Sequence, residues 1–385
     1  MTDSPISHHD PSDEAAKNGG KSGAEGGPGG GGESGPGGGG ESGAAGGGGA
    51  GPGPADAADS AATEQQKQQM EQQYQQMRRK MRIDQLREQV EYKIMVLSGK
   101  GGVGKTTVAT GLALALARSG KKVGLLDIDI TGPNVPKMLG VTDVDLHVED
   151  GQIHPAIGPH GVKVISMAFL LDDPDKPVIW RGPIKLGAIQ QFIGDVAWGQ
   201  LDALIIDFPP GTSDEPLTVA QSLPDMDGIV IVTTPQEVAL LDSRKSINFA
   251  KTLQLPVLGV VENMSGYTLQ GVAKDAEGAP LADAVIEVVG PRDALIETTT
   301  GADGEWSVTL DIFKRGGGED AAADMEVPFL GRLPFDPGFV SGGDDGVHRI
   351  IAEPDGEAAR AFEGVVERLL EQLQAGKDAA SIKII

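Results

Sequence analysis

The stretch "YKIMVLSGKGGVGKTTVATGLALALARSG", residues 92–120, constrains the fold more than any other part of the chain. A short apolar run ends at Leu97, a glycine-rich turn follows, and from Lys105 apolar residues recur at helical spacing until Gly120 closes the segment. The frame Gly99-x-x-x-x-Gly104-Lys105-Thr106 is that of a phosphate-binding loop, in which glycines let successive main-chain N–H groups converge on phosphate oxygens. The helix that follows adds positive potential at its N-terminus. Further apolar runs occur at "KKVGLLDID", Val162–Met167, Ala203–Asp207, Gly228–Thr233 and Val257–Glu262, separated by helix-length segments. Such alternation, with strands apolar almost throughout, predicts an α/β fold: a doubly wound parallel sheet covered by helices on both faces.

Four stretches carry candidate chemistry. In the loop, Gly99, Lys100, Gly101, Gly102, Val103, Gly104, Lys105, Thr106 and Thr107 are placed to hold nucleotide phosphates. Lys105 is expected to reach the β- and γ-phosphates, and the Thr106 hydroxyl to coordinate Mg²⁺. In "LLDIDITGPN", Asp127 could anchor the magnesium shell and Asp129 could orient an attacking water. Strand-end carboxylates that merely cap the Thr131-Gly132-Pro133 turn explain the same pattern equally well. In "ALIIDFPPGTSDE", Asp207 ends a buried strand where a magnesium-holding acid is expected, and the Gly211 N–H after the stiff Pro209-Pro210 pair could sense a γ-phosphate. In "VVENMSG", Asn263 could read an adenine edge with its amide, although a lone Asn after a strand is commonly a turn former.

The rest of the chain divides by composition. Residues 1–60, dominated by glycine and repeating "GPGGGGES", have too little to bury to offset their ordering entropy and are expected to be a disordered arm. About 35 such residues would span roughly 30 Å. Residues 61–91 read as a helical lead-in, its apolar stripe (Met70, Tyr74, Met77, Met81, then Ile83, Leu86, Val90) expected to pack on the domain that follows. The phosphate-loop domain is assigned to 92–266 and its end to 314–385. There Phe362, Val365, Val366, Leu369, Leu370 and Leu373 mark a core-packing helix. Between them, 267–313 consists of short β-type runs separated by turn pairs, a small all-β insertion similar to part of a transthyretin-like sandwich.

Charge and cysteine usage narrow the function classes. A net charge of −24 disfavours binding to nucleic acid or anionic lipid and would suit a salty cytoplasm. No apolar run has the length of a membrane span or a signal-peptide core, so a cytoplasmic protein without membrane contact is expected. The chain contains no cysteine, which excludes thiolate metal ligation and thiol catalysis by its own residues.

In order along the chain, "SGKGGVGKTT", "DIDITGPNVPKMLG", "WRGPIKLGAIQQF", "LIIDFPPGTSDEPLT", "VTTPQEVALLDSRKSI", "VLGVVENMS" and "VPFLGRLPFDP" resemble the Mrp/ApbC-type ATPases of the MinD/ParA group. The resemblance implies the deviant P-loop NTPase (SIMIBI) fold, ATP and Mg²⁺ as ligands, and a homodimer. It also implies that Lys100 reaches across the dimer to the partner's phosphates, a device comparable to an arginine finger in trans, worth ~10³–10⁵ in rate. The family further implies an iron–sulfur cluster held by a Cys-x-x-Cys pair shortly after the "ENMS" stretch, and apoprotein or scaffold partners. This chain has "GYTLQGVAKD" there, and His147, His154 and His160 are expected to be surface residues rather than substitute ligands. Three functions are in play: an ATPase of iron–sulfur assembly lacking its own ligands, a nucleotide switch that grips a protein client through the β insertion, and a DNA-partition ATPase, which the acidic charge disfavours.

Overall fold

The computed structural model describes residues 54–130, 132–170, 182–211, 214–313 and 315–382. Most of the glycine-rich arm, together with Thr131, Trp180 and Arg181, lies outside those residues. Residues 63–385 form one compact unit.

The long helix α1 (Pro54–Gln89) runs into β1 (Val90–Leu97), and the glycine-rich loop then opens α2 (Lys105–Arg118). There follow β2 (Val123–Asp127), the two-residue edge strand β3 (Ala156–Ile157), β4 (Lys163–Ser166), α3 (Gly182–Gly194), β5 (Leu201–Asp207) and α4 (Asp214–Ser222). Next come β6 (Gly228–Thr233), α5 (Glu237–Thr252) and β7 (Val257–Glu262). The strands assemble, with a later strand β12 (Phe329–Arg332), in the order β12-β7-β6-β1-β5-β2-β4-β3. Every neighbouring pair is parallel except β3–β4, so the sheet is parallel with one short antiparallel edge.

Alternation along each strand divides the core into two layers, because successive side chains leave opposite faces of a pleated sheet. Ile94 and Val96 of β1 pack with Leu112 and Leu116 of α2 and with Val365 and Leu369 of the C-terminal helix α7 (Glu357–Ile382). Met95 and Leu97 face the other way, toward Ile189 and Phe192 of α3 and Ile247 of α5. Each such side chain contributes roughly 1.5–3 kcal/mol when fully buried. Of the six apolar positions expected to seat α7, Leu370 is partly buried and the other five are buried.

The lead-in helix departs from expectation. Met70, Tyr74, Met77 and Met81 are all more than half exposed, and only the second register reaches the core, with Leu86 and Val90 buried and Ile83 packed beside them. The helix is polar around most of its circumference, and arginines attach it: Arg79 and Arg82 pair with Asp195 at 3.3 and 3.0 Å, and Arg82 donates to the Gly151 carbonyl at 2.7 Å.

After β7 the chain forms two antiparallel pairs. Strand β8 (Tyr267–Val272) pairs with β11 (Glu305–Leu310), and β9 (Val285–Val289) pairs with β10 (Leu295–Thr299). The chain then returns through α6 (Gly317–Asp324) to β12. Both feet of this segment are tied to Glu262 at the end of β7, a carboxylate with no solvent exposure. It accepts from Ser265 Oγ at 2.5 Å on one side and from the Gly316 and Gly318 N–H groups, at 3.0 and 2.5 Å, on the other. No helix of the described residues is long and apolar enough to cross a membrane.

Candidate functional site

The site forms where β1, β2, β5 and β7 end, at the carboxyl edge of the sheet, where open α/β sheets take their ligands. The loop leaves β1 at Ser98 and enters α2 through Gly104, whose φ of 79° lies in the left-handed region that glycine adopts without penalty. A Cβ at Gly104 would also stand 2.2 Å from Asn263 Nδ2. At Gly99 a Cβ would stand 2.2 Å from the Asp242 carbonyl oxygen, so the first glycine of the frame is required by the close approach of α5.

Asp127 and Asp207 are register partners on β2 and β5, both without solvent exposure. Lys105 Nζ lies 2.5 Å from Asp207 Oδ1, and Thr106 Oγ1 donates to Asp207 Oδ2 at 2.7 Å. Asp127 accepts from Ser166 Oγ at 2.8 Å and from the Asp129 N–H at 3.1 Å. Burial and the neighbouring Asp207 carboxylate push the Asp127 carboxyl up to about 8. Burial raises Asp207 as well, against the pull of Lys105 and Thr106. Two dry carboxylates therefore stand side by side with one ammonium between the loop and Asp207, an arrangement short of positive charge.

The segment after β5 is latched to the loop's entrance. The Gly211 N–H donates to the Ser98 carbonyl at 2.9 Å, and Ser98 Oγ donates to the Lys100 carbonyl at 3.0 Å. Lys100 itself is half-buried, and Asp129 is buried one residue beyond Ile128, whose N–H donates to the Asp207 carbonyl at 3.0 Å. The candidate residues of the loop, Asp127, Asp129, Asp207 and Gly211 thus converge on one edge. Asn263 reaches the same place differently from the expected base contact: its amide donates to the Val103 carbonyl at 2.9 Å and braces the loop.

A pocket of about 350 Å³ opens beside the loop, lined by Thr107, Asn134, Asn263, Met264, Pro334 and Phe335 among others. Asn134, Met264 and the Pro334-Phe335 pair lie within quoted motifs but were given no role from sequence, since only the packing of their separate turns brings them to one pocket. Ser166, which holds Asp127, carried no sequence signal either. His147 and His154 are exposed with ring centroids 5.8 Å apart, and His160 is exposed elsewhere; none approaches a metal-binding cluster among the described residues.

Comparison with known proteins gives the family. The family pattern described as ParA, NUBPL iron-transfer P-loop NTPase, matches residues 89–278 and 299–370. The chain belongs to that family. Its match is interrupted only at 279–298, which holds β9 and most of β10.

The iron-sulfur cluster carrier protein of Methanocaldococcus jannaschii is 44% identical over 290 residues, 75% of this chain and 88% of that protein. Its namesake in Methanococcus maripaludis is 43% identical, over 74% of this chain and 86% of that protein. Among solved structures, a nucleotide-binding protein of Archaeoglobus fulgidus in complex with ADP is 32% identical with a TM-score of 0.54, covering 74% of this chain and 96% of that one. As a member of the NUBPL-type P-loop NTPases the chain is a P-loop ATPase with the family's α/β architecture.

Proposed function

We propose that this chain binds ATP with Mg²⁺ at the phosphate loop, dimerises around the nucleotide, hydrolyses it slowly, and serves iron–sulfur cluster assembly in the cytoplasm through partners that supply the thiolates. One observation carries the nucleotide reading: Lys105, Thr106, Asp127 and Asp207 are gathered at the mouth of a phosphate loop. The all-oxygen donor set of Thr106, Asp127 and Asp207 fits a hard divalent cation, and the crowding of two carboxylates favours one. Bound there, Mg²⁺ supplies charge neutralisation for the β- and γ-phosphates.

Each remaining residue has a distinct part. Lys105 exchanges Asp207 for phosphate oxygens, and Asp129 orients the attacking water. The Gly211 N–H exchanges the Ser98 carbonyl for the γ-phosphate. Lys100 reaches the phosphates of a second copy, and Asn263 with the adjoining pocket takes the base. In this reading 92–266 and 314–385 form the ATPase domain, preceded by the lead-in 61–91 and interrupted by 267–313.

An iron–sulfur cluster does not fit this chain as a resident group, because clusters need soft thiolates and the chain has no cysteine. A role in cluster assembly therefore runs through an apoprotein or scaffold partner. A second reading is favoured by the outer face of the β9–β10 pair. Val285, Val289 and Leu295 are more than half exposed there, within the stretch where the family match breaks, and that face could grip a client according to nucleotide state.

Calorimetry with Mg-ATP tests the core of the proposal. A well-folded preparation that shows no association overturns it. Cluster reconstitution with iron counting, alone and with scaffold proteins, separates the assembly role from the client switch. Iron retained only with a thiolate-bearing partner supports the first.

A further inference from the structure

Behind the carboxyl edge, the first turn of α4 carries a buried acid that the nucleotide reading does not use. Glu215 is 2% exposed, and its Oε1 pairs with Lys185 Nζ on the first turns of α3. Its Oε2 is buried without a hydrogen-bond partner. A buried carboxylate is costly unless paired, so Lys185 is what makes Glu215 tolerable at this place. Lys185 in turn keeps about a quarter of its side chain exposed and sits within the fields of Asp129 and Asp214. Burial lowers its pKa while those two carboxylates raise it.

The location gives the pair more than a structural meaning. Glu215 follows closely on the segment that starts at Phe208 and runs through Gly211, which must rearrange if the Gly211 N–H is to turn from Ser98 to a γ-phosphate. Asp129, two residues beyond the end of β2, is close enough for its charge to act on Lys185. One ammonium on α3 therefore addresses both the root of the mobile-phosphate sensor and the acid assigned to the water.

We propose that Lys185 is a positioning residue for ATP hydrolysis: clamped by Glu215, its ammonium sets the stance of Asp129 and of the first turn of α4, so that the water-orienting carboxylate and the γ-phosphate-sensing loop come into place together. The inference rests on the reading of Asp129 and Gly211 given above. It assigns Lys185 to the hydrolytic step and not to the capture of nucleotide, because its ion pair is with Glu215 on α4 and the other charges acting on it are those of Asp129 and Asp214.

The test compares the full-length wild type with Lys185→Met, Lys185→Arg, Glu215→Gln and the charge-swapped Lys185→Glu/Glu215→Lys, using Mg-ATP as the probe. ATP affinity is read by calorimetry, turnover by phosphate release, and folding by thermal midpoint. Lys185→Met is expected to lower kcat on the order of 10²-fold, the scale of a misplaced catalytic group, with ATP affinity within about twofold of wild type. Lys185→Arg should recover most of that loss, and Glu215→Gln should fall between.

The swapped pair is the decisive variant. It should regain the thermal midpoint yet keep the low kcat, because it puts a negative charge where Asp129 needs a positive one. Recovery of kcat together with the midpoint would reduce the pair to a fold-stabilising contact and overturn the inference. So would a Lys185→Met variant with unchanged kcat, or one whose affinity falls in step with kcat. Absence of turnover in the wild type instead overturns the ATPase reading itself, which separates the two failures.

Discussion

Asp127 and Asp207 are register partners at the ends of adjacent parallel strands, dry on all sides, with Lys105 bonded to one and Ser166 to the other. In the reading proposed above the same oxygens serve a cation, which would relieve their crowding. Above about pH 8, where Asp127 is ionised, replacing it with Asn removes one charge and keeps a group that Ser166 can still bond. The thermal midpoint of metal-free protein should therefore rise, by roughly 2–4 °C for each kcal/mol relieved. The further rise on adding Mg-ATP should shrink. Scanning calorimetry with and without Mg-ATP checks both directions, and a lower metal-free midpoint counts against the strain.

Lys105 and Lys100 share one loop but should fail differently. Lys105→Ala strips the ammonium from a buried carboxylate and from the phosphates, so nucleotide binding should be abolished. Lys100→Ala should leave ATP affinity within a few-fold of wild type, while ATP-dependent dimerisation and turnover are lost; a trans-acting cation is worth ~10³-fold or more in rate. Sedimentation in ATP and in ADP distinguishes them. Equal losses of binding from both substitutions would place Lys100 in its own subunit's site.

Asn263 braces the loop through Val103 and also lines the adjoining pocket. Asn263→Ala leaves a buried carbonyl without its donor, a cost of about 1–3 kcal/mol, so ATP affinity should drop by roughly tenfold or more. If the amide also reads the base, the preference for ATP over GTP should narrow in competition binding. A weaker affinity with unchanged preference would leave Asn263 as a brace alone.

His348 offers a pH test away from the carboxylates. It is almost fully buried against the rings of Phe339 and Phe362, with centroids 5.5 and 6.5 Å away, and burial pushes its pKa down to about 4. The folded state thus keeps the imidazole neutral where the unfolded chain, near 6.5, takes up a proton. Its contribution is fully present above about pH 6.5 and is lost as the pH falls toward 4, up to about 3 kcal/mol for a shift of that size. Urea unfolding across this range should show a steeper acid-side fall for wild type than for His348→Gln. Parallel curves would mean that His348 is protonated without cost.

Much of this protein is written locally. The phosphate loop is contiguous, and its glycines and the Lys105-Thr106 pair need only the strand before and the helix after to act. The apolar runs report strands buried on both faces, and the spacing of Phe362 to Leu373 reports the face that α7 buries. Local patterning misled at α1, where Met70, Tyr74, Met77 and Met81 have helical spacing yet stay more than half exposed among the described residues: periodicity shows that a helix has an apolar side, not that anything covers it.

What tertiary structure alone decided is adjacency. Strand β5 enters the sheet between β1 and β2, and only that order brings Asp207 beside Asp127. The pairing of Lys185 with Glu215, the grip of Glu262 on both feet of the β segment, and the turn of Asn263 onto Val103 arise in the same way. Motif and periodicity describe neighbours along the chain, whereas these contacts depend on which surfaces pack after long stretches of chain have returned. The phosphate loop and the strands around it were therefore legible before folding, and the tertiary partners of their side chains were not.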